Sequence, residues 1–255
     1  MKDLWEMFIN EFQFYFPNQK LYFFCDKKNE LLSKYNLILY KRTDDFTSQY
    51  LKSLKKVKEE YVITLNEDYI LYDFVKIKKL QNYINVLKKN NKISFIRFHK
   101  GPNSTKKKFA SNLYYLDNSK RHLYSQTATM WRRSDLISLY KAAPKSFIGQ
   151  NLNNVKNYLS TEDEIDKISI KKKIIGLYAY HDEKLVGHSN YDSFVFPYLQ
   201  SIVVKGEWNF KEYKNNLKFL FQKYNIDFKK RSIFRNNFKD EAVSFLKKIG
   251  LKNEY

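Results

Sequence analysis

The chain has 255 residues, of which 43% are hydrophobic and 18% aromatic, enough for one large domain or two small ones. Charged residues make up 29% of the chain, and together with the aromatic content this excludes global disorder. A single cysteine, Cys25, excludes a disulfide framework and a thiolate metal site, and no apolar run reaches the roughly 18 residues of a membrane-spanning helix. Acidic residues among the first 16 positions argue against a signal peptide.

The charge balance is strongly basic, with 47 Lys and Arg against 27 Asp and Glu and a formal net charge of +20. Such a protein attracts polyanions such as nucleic acid, an anionic membrane surface or phosphorylated substrates. Arginine, which planar recognition of phosphates and bases favours, accounts for only 7 of the 47 basic residues. Because abundant Lys, Asn, Ile, Tyr and Phe are also typical of an AT-rich genome, the charge alone is weak evidence for nucleic-acid binding.

The first hundred residues alternate helical and strand-like patterns. In chain order they predict a helix over 4–16, strands over 20–25 and 35–40, a helix over 46–58, a strand over 61–65, a helix over 74–87 and a strand over 93–98. This alternation predicts βαβ units, and therefore an α/β fold with a mainly parallel central sheet flanked by helices.

The rest of the chain has a less regular pattern. It predicts a basic loop over 100–108, a helix over 134–141, an acidic helix that begins at Thr161, strands over 174–180 and 194–204, and helices over 211–224 and 237–249. The last 45 residues carry 12 Lys and Arg against 5 acids. We therefore expect a main domain over 1–205 and a basic helical segment over 206–255, packed on that domain or on a membrane surface.

Acidic residues follow three of the predicted strands, as Asp26, Asp44-Asp45 and Glu67-Asp68. Ligands of open α/β sheets bind at the carboxyl ends of the strands. The adjacent carboxylates of Glu67 and Asp68 suit a hard divalent cation, with a nucleotide diphosphate supplying further ligands. The alternative is that these acids only cap or solvate a strand-to-helix turn.

A second acidic segment covers residues 160–166. Thr161 and Glu164 have the spacing of a helix capping box, and acids in a first helical turn suit the helix dipole. Capping does not require Asp163 or Asp166. A carboxylate at this position could deprotonate a hydroxyl nucleophile, and both interpretations can hold together.

A strand that ends in an acidic pair, followed about a hundred residues later by Thr161-Glu162-Asp163, resembles the GT-A glycosyltransferases, especially their inverting, family-2-like branch. The similarity covers roughly residues 20–190. It implies that Asp68, with Glu67, holds Mn²⁺ or Mg²⁺ and the diphosphate of the donor. It also implies that Asp163 is the base that activates the acceptor hydroxyl and that Glu162 orients the acceptor.

The same resemblance assigns further positions around the two substrates. It places Asp26 and Asp45 at the donor, Gln126 and Trp131 against the acceptor sugar, and His188 as an additional metal ligand. Two features of this chain differ from the family: Asn66 occupies the first position of the metal-binding motif, and a helix precedes the first visible strand. The chain also lacks the Gln-x-x-Arg-Trp motif of processive synthases, which favours a single sugar addition.

The resulting prediction is an enzyme that transfers a sugar from a nucleotide-sugar donor to a hydroxyl of a glycan or lipid-linked acceptor, with inversion and metal assistance. We expect it to serve polysaccharide biosynthesis in the cytoplasm or at the cytoplasmic membrane face, where the basic C-terminal helices would contact the membrane. One alternative is a basic nucleic-acid-binding protein that uses lysines and aromatic stacking, although no such motif is present and no specific nucleic acid is expected. Another is a degenerate transferase fold without activity.

Overall fold

The computed structural model describes residues 2–143, 155–186 and 190–234. The helices are α1 (Lys2–Tyr15), α2 (Phe46–Lys56), α3 (Ile77–Lys89), α4 (Arg133–Ala142), α5 (Val155–Lys171) and α6 (Phe210–Tyr224). The strands are β1 (Tyr22–Cys25), β2 (Asn36–Leu39), β3 (Tyr61–Thr64), β4 (Ile70–Leu71), β5 (Ile93–Arg97), β6 (Ser104–Ala110), β7 (Leu113–Leu116), β8 (Thr129–Arg132), β9 (Ile175–Ala179), β10 (Leu185–Val186), β11 (Asn190–Tyr191), β12 (Tyr198–Leu199), β13 (Val203–Val204) and β14 (Glu207–Trp208). Among the described helices, none combines the length and apolar composition needed to cross a bilayer.

Among the described residues, the central sheet has six strands in the order β3-β8-β5-β9-β7-β6. The two middle strands, β5 and β9, are parallel to each other, whereas β8 and β7 run antiparallel to their neighbours. Four of the six strands, β3, β5, β9 and β6, therefore point the same way. Strands β1 and β2 form a separate parallel pair. The predicted α/β class with a central sheet flanked by helices is confirmed, and the reversed strands β7 and β8 are an addition that the alternating pattern did not predict.

Each face of the central sheet has its own hydrophobic core because side chains alternate along a strand. On β8, Met130 joins the larger core with α1, α3 and α6, whereas Trp131 joins a smaller core with α2, α4 and α5. On β9, Leu177 and Tyr178 divide in the same way. Every residue of β5 is buried, as expected for the centre of a three-layer fold.

Residues 100–108 are not the basic loop that their composition predicted. From Ser104 onward they form β6, which pairs with β7 through a turn at Ser111-Asn112, where Ser111 has a φ of 40°. Strand β6 is the edge of the sheet, and Lys106, Lys107 and Lys108 are exposed along it. Exposed lysines are common on edge strands because they discourage pairing with other chains. The sequence prediction mistook an edge strand for a loop.

Two further predictions are corrected by the helix and strand boundaries. Helix α5 begins at Val155, so Thr161 lies in its interior and does not cap its start. The predicted strand over 194–204 divides into β12 and β13, with Ser201 between them at a φ of 50°.

The basic segment over 206–255 is described only in part. Its described portion includes Trp208 and Leu217, which belong to the same core cluster as the strands of the central sheet. The predicted helix over 237–249 lies outside the described residues, and the boundary at 205 stays a prediction.

Candidate functional site

Two of the acids predicted at the strand ends lie close to one tyrosine. Tyr40 follows β2, and its backbone N–H donates to the Cys25 carbonyl at the end of β1 at 3.0 Å. The pKa of the Tyr40 hydroxyl is raised first by burial and then by the nearby negative charges, which include Asp26 and Glu67. Tyr40, after β2, therefore lies near the acids that follow β1 and β3.

The carboxyl group of Asp68 is set apart from ordinary surface acids by its surroundings. Burial first, and the charge of Glu67 second, raise its pKa to about 7. Backbone hydrogen bonds, one of them from Val203, and the positive charge of Arg231 act in the opposite direction. A half-buried carboxylate beside a second carboxylate is stabilised by a cation, which would lower this pKa.

Two hydrogen bonds link the segment between β3 and β4 to α5. The Tyr69 hydroxyl, immediately after the acidic pair, donates to the Gln126 carbonyl at 2.9 Å. The Gln126 backbone N–H donates to Oε1 of Glu162 at 2.9 Å. The three segments that the sequence analysis selected, around residues 68, 126 and 162, therefore meet at Gln126.

The loop at this meeting point contains buried polar atoms that the fold does not satisfy. Nε2 of Gln126 and the hydroxyls of Thr127 and Thr129 have no hydrogen-bond partner among the described residues. Buried polar atoms are nearly always paired in folded proteins, with ordered water or a ligand where the protein offers nothing. Two of these atoms lie in the loop and the third at the start of β8, which favours this region as a place where a polar ligand binds.

The two acids predicted to act in catalysis lie in different environments. The pKa of Glu162 is raised, chiefly because its carboxyl is buried, although hydrogen bonds from Gln126 and Ser125 oppose the shift. Asp163 is exposed, and its Oδ1 is 2.9 Å from Nη2 of Arg121. Adjacent helical residues point about 100° apart, so α5 directs Glu162 toward Gln126 and Asp163 toward solvent.

Behind the loop, two buried charged residues hold its backbone. Asp166 accepts hydrogen bonds from the N–H groups of His122 at 2.8 Å and Tyr124 at 2.9 Å. From the other side, Arg97 donates to the carbonyls of His122 at 2.7 Å and Leu123 at 3.1 Å. Burial lowers the pKa of Arg97 to about 10. His122, at a φ of 67°, is held in a left-handed conformation within this clamp.

Two predicted site residues find no support in this arrangement. Trp131 is 1% exposed and stacks on Phe95 with ring centroids 4.3 Å apart, so the prediction that it faces an acceptor sugar is wrong. Its position on β8 points it into the smaller core. Asp45 caps α2 by accepting a hydrogen bond from the Ser48 N–H at 3.1 Å. This cap explains the presence of the acid without a role in binding the nucleotide-sugar. His188 lies outside the described residues.

Several residues of the site were not singled out from the sequence for these roles. The only sequence feature that pointed to Tyr69 is its position after an acidic pair, and the only one that pointed to Tyr40 is its position at the end of a predicted strand. Arg97 could have been noticed as the one charged residue of the otherwise uncharged segment Ile93–Arg97. Asp166 was noted only as an acid that capping does not need.

The described residues contain no group of three or more His, Cys, Asp or Glu side chains arranged to hold a metal ion. Glu67 and Asp68 are a pair only. A divalent cation there would need oxygen ligands from elsewhere, which the diphosphate of a bound nucleotide could supply.

Comparison with known proteins gives little further information. No protein-family model matches the chain, and no curated protein matches it significantly. Among solved structures, the chain is similar to CMP:2-keto-3-deoxy-manno-octonic acid synthetase complexed with CTP. The two are 10% identical, the match covers 69% of this chain and 76% of that chain, and the TM-score is 0.38. A similarity of this size carries no inference about activity.

Proposed function

We propose that this protein is a GT-A-like glycosyltransferase that moves a sugar from a nucleotide-sugar donor to a hydroxyl group of a glycan or lipid-linked acceptor. The observation that carries the proposal is the pair of hydrogen bonds that links Tyr69, the residue after Glu67-Asp68, through Gln126 to Glu162 of α5. Such a site offers one acidic pair for the donor side and a separate carboxyl for the acceptor side. Two acids in different environments can perform two different tasks.

On the donor side, Glu67 and Asp68 would hold Mn²⁺ or Mg²⁺ together with the diphosphate. The bound cation would offset the charge that builds on the leaving diphosphate. The raised pKa of Asp68 supports this role, because a half-buried carboxyl beside another carboxylate is stabilised by a cation. Asp26 and Tyr40, at the ends of the neighbouring strands, would then border the nucleoside.

On the acceptor side, a carboxylate would take the proton of the attacking hydroxyl. The acceptor oxygen would form a bond to the anomeric carbon while the bond from that carbon to the diphosphate breaks, which inverts the configuration. Burial and the raised pKa favour Glu162 for this base, because a general base is most effective when its pKa approaches the working pH. Asp163, which is exposed and pairs with Arg121, would then hold Arg121 beside α5.

The experiment is a thermal-shift panel of nucleoside diphosphates and nucleotide-sugars, with and without Mn²⁺. Ligand at about a hundred times its Kd stabilises by roughly 2.7 kcal/mol, which for a chain of this size raises the Tm by about 5–10 °C. We expect a Mn²⁺-dependent shift with one nucleotide in the wild type and its loss in Asp68→Asn.

A second measurement separates binding from catalysis. We expect Glu162→Gln to keep the nucleotide shift and to lose sugar transfer, whereas Asp163→Asn keeps most of both. The matched control is Glu164→Gln on the same helix, whose side chain pairs with Lys167. Loss of transfer in Asp163→Asn with retention in Glu162→Gln would return the base role to Asp163. The absence of a shift with every nucleotide would refute a donor site and favour a fold without activity.

A further inference from the structure

Three phenylalanines on separate elements are unusually exposed. Phe14 of α1 is 59% exposed, Phe74 of the segment before α3 is 53% exposed, and Phe219 of α6 is 57% exposed. Phenylalanine is among the residues most often buried in soluble proteins, and large exposed apolar groups that lie together mark interaction surfaces. We refer to these three rings with Lys223 as the aromatic patch.

The rings form one surface. The centroids of Phe14 and Phe74 are 5.6 Å apart. The ammonium of Lys223 lies 5.7 Å from the centroid of Phe14 and 5.6 Å from that of Phe219, so it connects α6 to α1. The same lysine pairs with the buried Glu11 of α1 at 2.6 Å. These contacts hold Phe14 of α1, Phe74 before α3 and Phe219 of α6 on one surface, where each ring stays more than half exposed.

Lysines are frequent in the elements that carry the aromatic patch. Helix α6 carries four lysines and a single acid, Glu212. The segment that contains Phe74 continues into three more lysines around the start of α3, with Asp73 as its acid. The lysines concerned are Lys76, Lys78, Lys79, Lys211, Lys214, Lys218 and Lys223.

We propose that the aromatic patch docks the protein on a membrane surface that carries anionic lipid. Aromatic rings insert at the boundary between headgroups and acyl chains, while lysines extend to the headgroup phosphates. Protein interfaces are enriched in aromatic residues and Arg and depleted in Lys, so the lysines of these elements favour a membrane surface over a protein partner. The inference uses no residue of the candidate site and does not depend on the proposed function.

The test is co-sedimentation of the full chain with two kinds of vesicle, one of phosphatidylcholine alone and one that also contains phosphatidylglycerol. We expect binding to the anionic vesicles only, and we expect added salt to weaken it. Phe14→Gln, Phe74→Gln and Phe219→Gln should each lower the ratio of bound to free protein by about tenfold, because each removes the insertion of one aromatic side chain. The matched control is Leu39→Gln, which replaces another exposed apolar residue, 38% exposed, on β2.

Four results would overturn the proposal. The first is equal binding of the wild type to both vesicles, and the second is a loss in Leu39→Gln as large as in the phenylalanine variants. The third is a change in sedimentation coefficient of the phenylalanine variants without vesicles, which would make the patch a contact between copies of the chain. The fourth is a lower Tm of those variants than of Leu39→Gln, which would mean that the chain itself covers the rings.

Discussion

Replacement of Asp166 by asparagine tests the clamp that holds the 122–124 backbone. The carboxylate accepts two backbone hydrogen bonds, from His122 at 2.8 Å and Tyr124 at 2.9 Å, and is 5% exposed. A hydrogen bond to a charged group contributes about 1.5–3 kcal/mol. Asparagine has nearly the same volume, but its amide nitrogen faces one of the two donors, so one bond is lost and one buried N–H is left unpaired.

The expected cost is about 3–4 kcal/mol, since the lost charge-assisted bond and the unpaired donor add together. Arg97 also loses the nearby negative charge that raises its pKa against the effect of burial. The matched control is Asp163→Asn, three residues earlier on α5. Its ion pair with Arg121 joins side chains that are 55% and 72% exposed, so its loss should cost about 0–1 kcal/mol.

The assay is urea unfolding followed by circular dichroism, with the midpoint and the slope fitted for the wild type and both variants. We expect Asp166→Asn to lower the midpoint strongly with an unchanged slope, and to lower the Tm by about 10 °C. If Asp166→Asn cost no more than Asp163→Asn, the two hydrogen bonds would not hold the loop and the reasoning would be wrong.

Two further predictions concern the sheet and the pH dependence of stability. A Cβ at Gly176 of β9 would overlap the buried Phe95 ring of β5. Gly176→Ala should therefore lower the free energy of unfolding in urea by about 1–3 kcal/mol. Adding Phe95→Leu to Gly176→Ala should recover part of this loss. The pKa of Glu162 is raised in the folded state, so between its ordinary value of 4.5 and its folded value the unfolded chain releases a proton that the folded chain keeps. As pH rises above about 4.5, the wild type should therefore lose stability relative to Glu162→Gln. A Tm difference between these two proteins that stays constant from pH 4 to pH 8 would contradict this.

Much of the secondary structure follows from local patterns. The spacing of apolar residues predicted α1, α2, α3 and α6 with small errors at their ends, and the short β-branched and aromatic runs predicted β1, β2, β3 and β5. The loop predicted over 100–108 was wrong from Ser104 onward, because three consecutive lysines resemble a loop in composition and only pairing with β7 makes these residues a strand. The predicted start of α5 at Thr161 was wrong because threonine is a common N-cap residue, whereas the helix begins six residues earlier at Val155.

The candidate site was also predictable in part from the sequence and in part only from the tertiary structure. The sequence by itself determined that acids follow β1 and β3, and that a second acidic group lies near residue 163, because these depend on residue type and short spacing. Only the tertiary structure decided which acids face inward. Helix α5 meets the 122–126 loop along the face that carries Glu162 and Asp166, four residues apart, and leaves Asp163 in solvent. A sequence contains the helical period but not the rotation of the helix, and that rotation is set by contacts with residues about forty positions away.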